Sequence, residues 1–202
     1  MPAQLAEIKP ASTFAQAVRI LNHLPNLEMQ RPERIDPNAF KLGRMHALLE
    51  RLGDPHHKLT LVHIAGSKGK GSIAEMLVAA LAGCSYAAGI HTSPHLVDIR
   101  ERIRIGDQMV SETAFVRLLN RALQAAALIQ PEFGAASYFE MMTAMALAHF
   151  HEQAVDAAVI EVGLGGRLDA TNVITPAVSL IGALQLQPTP ILRTPHPDFP
   201  RV

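Results

Sequence analysis

Seven consecutive residues, Gly66-Ser67-Lys68-Gly69-Lys70-Gly71-Ser72, carry the clearest chemistry in the chain. Glycines let backbone N–H groups turn inward on a phosphate with no Cβ in the way. Lys70 supplies a point charge for β- and γ-phosphates, and Ser72 offers a hydroxyl to Mg²⁺. The spacing departs from G-x-x-x-x-G-K-[ST], because a glycine separates Lys70 from Ser72. A lysine-rich turn without a ligand is the other reading of the same residues.

Two further segments hold reactive side chains. Glu161 closes an apolar run just before Gly163-Leu164-Gly165-Gly166. A carboxylate there can hold Mg²⁺, directly or through water, or can cap nearby N–H groups. His91-Thr92-Ser93-Pro94-His95 mixes hydroxyls and imidazoles at the end of another apolar run. Thr92 or Ser93 could reach a metal or a phosphate. The two histidines lack a paired metal-ligand spacing and read as solvated or as ligands. Arg100, Glu101, Arg102 and Arg104 form either a solvated face of mixed sign or an anion-binding loop. Glu140, among apolar neighbours, must pair with a cation or sit at an exposed edge.

These residues need elements to position them. Helical spacing predicts helices over residues 14–24, 39–52, 72–84, 112–129 and 138–152, with Ser111 as an N-cap. Near-continuous apolar runs predict strands at 59–65, 86–90, 156–162 and 177–184, and alternation around Gly106-Asp107 predicts a hairpin over 102–110. Strands alternating with helices imply an α/β fold with a parallel sheet covered on both faces. In such sheets ligands bind at the carboxyl ends of the strands, where residues 66–72, 92–95 and 161–166 all fall.

Bulk properties narrow the classes. The chain has 202 residues, 49% hydrophobic and 18% charged, enough for one sizeable core. A formal net charge of zero gives no global field for nucleic acid or anionic lipid, so any anion site is local. One cysteine, Cys84, excludes a disulfide framework, and its apolar setting predicts a buried small hydrophobe. Phe139, Met142, Met145 and Leu147 read as core. With no membrane span and no secretory leader in the sequence, the expectation is a cytoplasmic protein. Residues 185–202 are rich in proline, hold no period, and are expected to be disordered.

Taken together, the segments from Val62 to Ser72, His91 to Val97, Glu101 to Arg104, Tyr138 to Glu140, and the run Glu161-Val162-Gly163-Leu164-Gly165-Gly166-Arg167-Leu168-Asp169-Ala170-Thr171-Asn172 resemble the folylpolyglutamate synthase and dihydrofolate synthase family of the Mur ligase superfamily. Five segments match in register from about residue 14 to residue 184. The resemblance implies a P-loop Mur-ligase-like ATPase domain and an ATP-dependent ligase joining L-glutamate to dihydropteroate or folate through an acyl phosphate. It implies ATP held by residues 66–72, Mg²⁺ held by Ser72, Ser93 and Glu161, and Lys70 and Glu161 as catalytic. It implies substrate contacts from Thr92, Ser93, Pro94, His95, Arg102 and Tyr138. Family members are typically monomeric.

Departures from the pattern also carry expectations. Ser67-Lys68 stands where the family commonly has threonine and asparagine, and Arg100 where a small polar residue is usual. Ala183-Leu184-Gln185-Leu186-Gln187-Pro188 stands where a Gly-Leu-Asp-His motif with a metal-ligating histidine is expected. The lysine that is carbamylated in the family and the C-terminal glutamate-binding domain have no counterpart. The chain therefore reads as a partial ATP-binding domain, residues 1–184, with a tail that looks like a reading-frame break. It is expected not to complete ligation alone and to self-associate through an open sheet edge. A noncatalytic nucleotide- or folate-binding remnant and a cell-wall ligase on the same scaffold are the alternatives. The Tyr138-Phe139-Glu140 and 161–172 runs argue against the cell-wall ligase.

Overall fold

The computed structural model describes residues 9–26 and 42–184. The tail 185–202 and most of the loop expected over 25–37 lie outside the described residues. Six strands form one sheet: β1 (Leu61–Ala65), β2 (Ala88–His91), β3 (Ile103–Ile105), β4 (Gln108–Met109), β5 (Ala157–Glu161) and β6 (Val178–Ile181). Their order is β4-β3-β2-β5-β1-β6. β2, β5, β1 and β6 run parallel, with Ile64 beside Glu161 and Ile90 beside Val159. The expected hairpin is present, but it joins the sheet: β3 lies antiparallel to β2, so the sheet is mixed rather than wholly parallel. A short connection from β2 cannot make a parallel crossover, so the chain returns antiparallel.

Among the described residues five α-helices flank the sheet: α1 (Phe14–Asn22), α2 (Leu42–Arg51), α3 (Lys70–Gly83), α4 (Glu112–Phe133) and α5 (Tyr138–Glu152), with α1 and α2 packed on α4 and α5. Alternation along the strands builds two cores. Leu61, Ala158 and Ile160 face a large core with α4 and α5, while Ile64, Ile90 and Val159 face a small one under α3. The Ser111 cap forms as expected, its hydroxyl accepting from the Ala114 N–H. α4 continues past residue 129, through Pro131, and stops at Gly134, whose φ of 81° ends helices readily. α3 begins two residues earlier than its apolar period suggests.

Glu140 takes the paired option. It accepts from Arg44 Nε at 2.9 and 3.0 Å and from the Ser137 N–H at 2.7 Å, tying α2 to the capped start of α5. Met142, Met145 and Leu147 are fully buried and Phe139 partly so, as expected of core. Cys84 is a correction. It caps the C-terminal end of α3 and is exposed, because that helix end projects beyond the small core. Among the described residues, no helix is long and apolar enough to cross a membrane.

Candidate functional site

The glycine-rich loop leaves β1 and enters α3. Gly69 sits at φ 79°, a left-handed conformation that side-chain-bearing residues rarely adopt, and it places Lys70 at the first position of the helix. No side chain caps this end. The leading N–H groups and the positive end of the helix dipole are therefore available to an anion. The loop is pinned from below by the chain after β6. Ser67 N–H donates to the Ala183 carbonyl at 2.8 Å and Gly182 N–H to the Ala65 carbonyl at 2.8 Å.

Glu161 meets this helix start. Lys70 Nζ lies 3.7 Å from Glu161 Oε1, and Ser93 N–H donates to Glu161 Oε2 at 3.1 Å. Glu161 is only 4% exposed. Burial pushes its carboxyl above the usual range, and the Ser93 N–H and the Lys70 charge oppose that shift. A buried carboxylate with this sparse set of partners favours a cation beside it.

Two clefts open on either side of the Lys70–Glu161 contact. One, of about 330 Å³, lies between Ala65-Gly66-Ser67, Lys70 and the loop 162–166. The other, of about 650 Å³, is lined by Gly71, Ser72, Thr92, Ser93, Pro94, Arg104 and Glu161, with Glu75, Leu96 and Asp107 at its rim. The start of α3 is thus the wall between them. Ser72, Ser93 and Glu161 all line the second cleft, and their oxygen-bearing side chains are a set that suits a hard cation.

The supporting loops are held by buried polar groups. Asp169 accepts from the Leu164 N–H at 2.8 Å, the Thr171 N–H at 3.0 Å and the Thr171 hydroxyl at 2.6 Å, which staples the loop 162–169. Burial pushes its carboxyl up despite these donors. His63 on β1 bonds Thr171 Oγ1 at 2.8 Å, and burial holds its imidazole below the ordinary value. Gly163 has no room for a side chain, since a Cβ would fall 2.6 Å from the Phe139 ring. On the other wall, Glu101 gathers the N–H groups of Leu96, Val97 and Asp98, and these bonds hold its carboxyl below the usual range. The tip of that loop leaves Leu96 and Val97 more than 90% exposed, at 91% and 92%.

Several residues singled out in the sequence lie elsewhere, and His95, expected as a substrate contact, lines neither cleft. Tyr138 is buried at the start of α5 and lines neither cleft; its N–H donates to the Pro25 carbonyl. Arg102 is buried with its guanidinium 5.2 Å over the Tyr138 ring, donating to His95 Nδ1 at 2.8 Å. His91 is fully buried between the Arg102 carbonyl, at 2.8 Å, and Thr143 Oγ1, at 3.2 Å. It is neither solvated nor placed as a ligand. Of the arginine run, Arg104 is the member on the cleft, where it pairs with Glu75. Glu75 was not singled out in the sequence. Its spacing of four from Gly71, one helical turn, was the available signal.

No protein-family model matches the chain. Sequence relatives are nevertheless clear. The chain is 39% identical over 155 residues to a bifunctional folylpolyglutamate synthase/dihydropteroate synthase of Halobacterium salinarum, covering 76% of this chain and 19% of that protein. It is 39% identical over 145 residues to the dihydrofolate synthase/folylpolyglutamate synthase of Bacillus subtilis, covering 71% and 34%. Solved structures agree. Mycobacterium tuberculosis folylpolyglutamate synthase complexed with ADP aligns with a TM-score of 0.76 at 38% identity, over 86% of this chain and 37% of that one. An FPGS–AMPPCP–folate complex aligns with a TM-score of 0.76 at 32% identity, over 87% and 42%. By sequence and by fold together, the chain is related to the folylpolyglutamate and dihydrofolate synthases, and it spans between about a fifth and two fifths of the length of these relatives.

Proposed function

We propose that the chain is the nucleotide- and carboxylate-holding part of a cytoplasmic ATP-dependent ligase that joins L-glutamate to dihydropteroate or folate. One observation carries this reading: Lys70 and Glu161 meet on the wall between two clefts, so a phosphoryl group can pass from one to the other. ATP occupies the cleft between residues 65–67 and 162–166, with its phosphates on the loop 66–72 and the start of α3. The ADP and AMPPCP in the relatives' structures support a nucleotide here. The second cleft takes the pteroate or folate carboxylate, in keeping with the folate in a related structure. Arg104, rather than the buried Arg102, is the cation that faces it. The exposed Leu96 and Val97 supply apolar surface for a flat heterocycle.

A substrate carboxylate oxygen attacks the γ-phosphorus, and the bond to the β-phosphate oxygen breaks to release ADP. The amine of glutamate then attacks the acyl carbon and inorganic phosphate leaves, the amine proton passing to solvent. Lys70 neutralises charge on the transferring group, and the N–H groups opening α3 orient it. Ser72, Ser93 and Glu161 fit Mg²⁺ as a set of hard oxygen donors, one of them a buried carboxylate. When bound, Mg²⁺ would offset the negative charge of the phosphoryl oxygens.

The test is titration of the 202-residue chain with a fluorescent ATP analogue, with and without Mg²⁺, followed by ADP release on adding dihydropteroate. Saturable binding that Lys70→Ala weakens at least tenfold supports the reading. Equal affinity in the wild type and the variant would remove the loop from nucleotide binding and overturn it.

A further inference from the structure

A second group of ligating side chains lies away from both clefts. Asp54, His56 and His57 fall in the turn between α2 and β1, and one ligand atom from each lies within 4.8 Å of the other two. The turn is held by its backbone. Gly53 and Asp54 are both left-handed, Pro55 opens a 3-10 turn over Pro55–Lys58, and the Asp54 N–H donates to the Leu49 carbonyl at 2.9 Å. The Asp54 carboxylate caps nothing in that turn, which leaves its oxygens for another partner. His56 is the telling residue. It is 4% exposed, yet neither Nδ1 nor Nε2 has a hydrogen-bond partner. Buried polar atoms are rarely left in that state, and an orphaned imidazole calls for a ligand. The His57 ring lies beside it, tilted by 36° with ring centroids 3.9 Å apart, and is exposed, so it can turn to share a ligand.

We propose that Asp54, His56 and His57 bind one divalent transition-metal ion, with Zn²⁺ the best fit. Two imidazoles and one carboxylate suit a borderline cation, and three protein ligands with water in the fourth position form a common tetrahedral shell. Bonds of about 2.0–2.2 Å set tetrahedral ligand atoms roughly 3.4 Å apart, so the three groups must draw together, and the exposed His57 can turn to do so. The site lies at the amino end of β1, whereas the glycine loop leaves the carboxyl end. The strand's five residues, about 3.3 Å each, keep the two apart. The ion is therefore a clamp on the turn that delivers the chain into β1, and it does not depend on the nucleotide reading.

The probe is Zn²⁺ alone, titrated into the untagged, chelator-stripped full chain against a chromophoric chelator, with Co²⁺ absorption reporting geometry. One equivalent bound in the micromolar range or tighter, with visible Co²⁺ bands of tetrahedral intensity, is expected. Asp54→Asn and His57→Ala should each weaken Zn²⁺ at least tenfold, with circular dichroism unchanged in the absence of metal. His23→Ala, an exposed histidine outside the cluster, should leave affinity within twofold. Zn²⁺ should raise the melting temperature of the wild type and not of His57→Ala. Binding weaker than about 0.1 mM, or affinity that survives both cluster variants or falls equally in His23→Ala, would overturn the proposal.

Discussion

The two faces of the sheet are built to different depths. On the face covered by α4 and α5, 35 described residues form one buried cluster, and a buried Arg44–Glu140 pair ties in α2. Under α3 the buried apolar cluster among the described residues has six members: Ile64, Ala74, Val78, Ala88, Ile90 and Val159. Met76 on α3, and Val178 and Ile181 on β6, remain exposed. Yet the thin face carries the chemistry. Its helix opens on the glycine loop and forms the wall between the two clefts. The thick face is the scaffold that aims β1 and β5; the thin face is where the backbone is left open to a ligand. Stability and binding should therefore respond to different substitutions.

The largest separation is expected between Phe150→Ala and Met76→Ala. Phe150 is fully buried in the large core, and its truncation should cost about 3–5 kcal/mol of unfolding free energy. Met76 is apolar but exposed, and its truncation should stay within about 0.5 kcal/mol. Urea unfolding of both variants measures this. Similar losses would mean that the α3 face carries as much of the core as the other.

Lys70→Ala should do the reverse. Loss of a charge-assisted phosphate contact should weaken nucleotide binding by about 1.5–3 kcal/mol. Calorimetric titration gives the affinity, and a thermal melt without nucleotide should move little. A large drop in melting temperature would make Lys70 part of the scaffold.

Glu161→Gln sharpens the same contrast. It keeps shape and removes the charge that a hard cation prefers. Nucleotide affinity should fall by about 1–2 kcal/mol with Mg²⁺ present and hardly at all without it. Because burial raises the Glu161 carboxyl, the Mg²⁺-dependent part should fade as pH drops, at a higher pH than an exposed glutamate would show. An equal loss with and without Mg²⁺ would make Glu161 structural.

The smallest effect is a pH slope of stability. Burial lowers the imidazoles of His56, His63 and His149 below 6.5. In the window below 6.5, the unfolded chain then binds more protons than the folded one, so stability rises with pH there and levels off above it. Each histidine contributes at most about 1.4 kcal/mol per pH unit. The raised carboxyls of Glu161 and Asp169 act in the opposite direction, favouring the folded state at low pH. His149→Gln, on the thick face, should flatten the slope of urea-unfolding free energy between pH 5 and 6.5. An unchanged slope would show that His149 is not among the groups responsible.

Much of the architecture was legible in local sequence because local sequence causes it. Apolar runs at β1 and β5, the hydroxyl of Ser111, and the hairpin at Gly106 act within a few residues of themselves. The glycine loop was legible for the same reason: a left-handed Gly69 ahead of an uncapped helix is a local device. What neighbours in space decide was not legible. Arg102 closes the 3-10 turn ahead of β3 and Arg104 lies within β3, so one is buried against His95 and over Tyr138 while the other reaches the cleft. The run of charges does not say which. Cys84 sits in apolar sequence, but whether it is covered depends on how far α3 extends past its core. The burial of His91, the pairing of Glu140 with a residue 96 positions away, and the contact of Lys70 with Glu161 across two strands are products of packing. Periodicity reports which side of an element is apolar, and only the tertiary fold determines what lies against it.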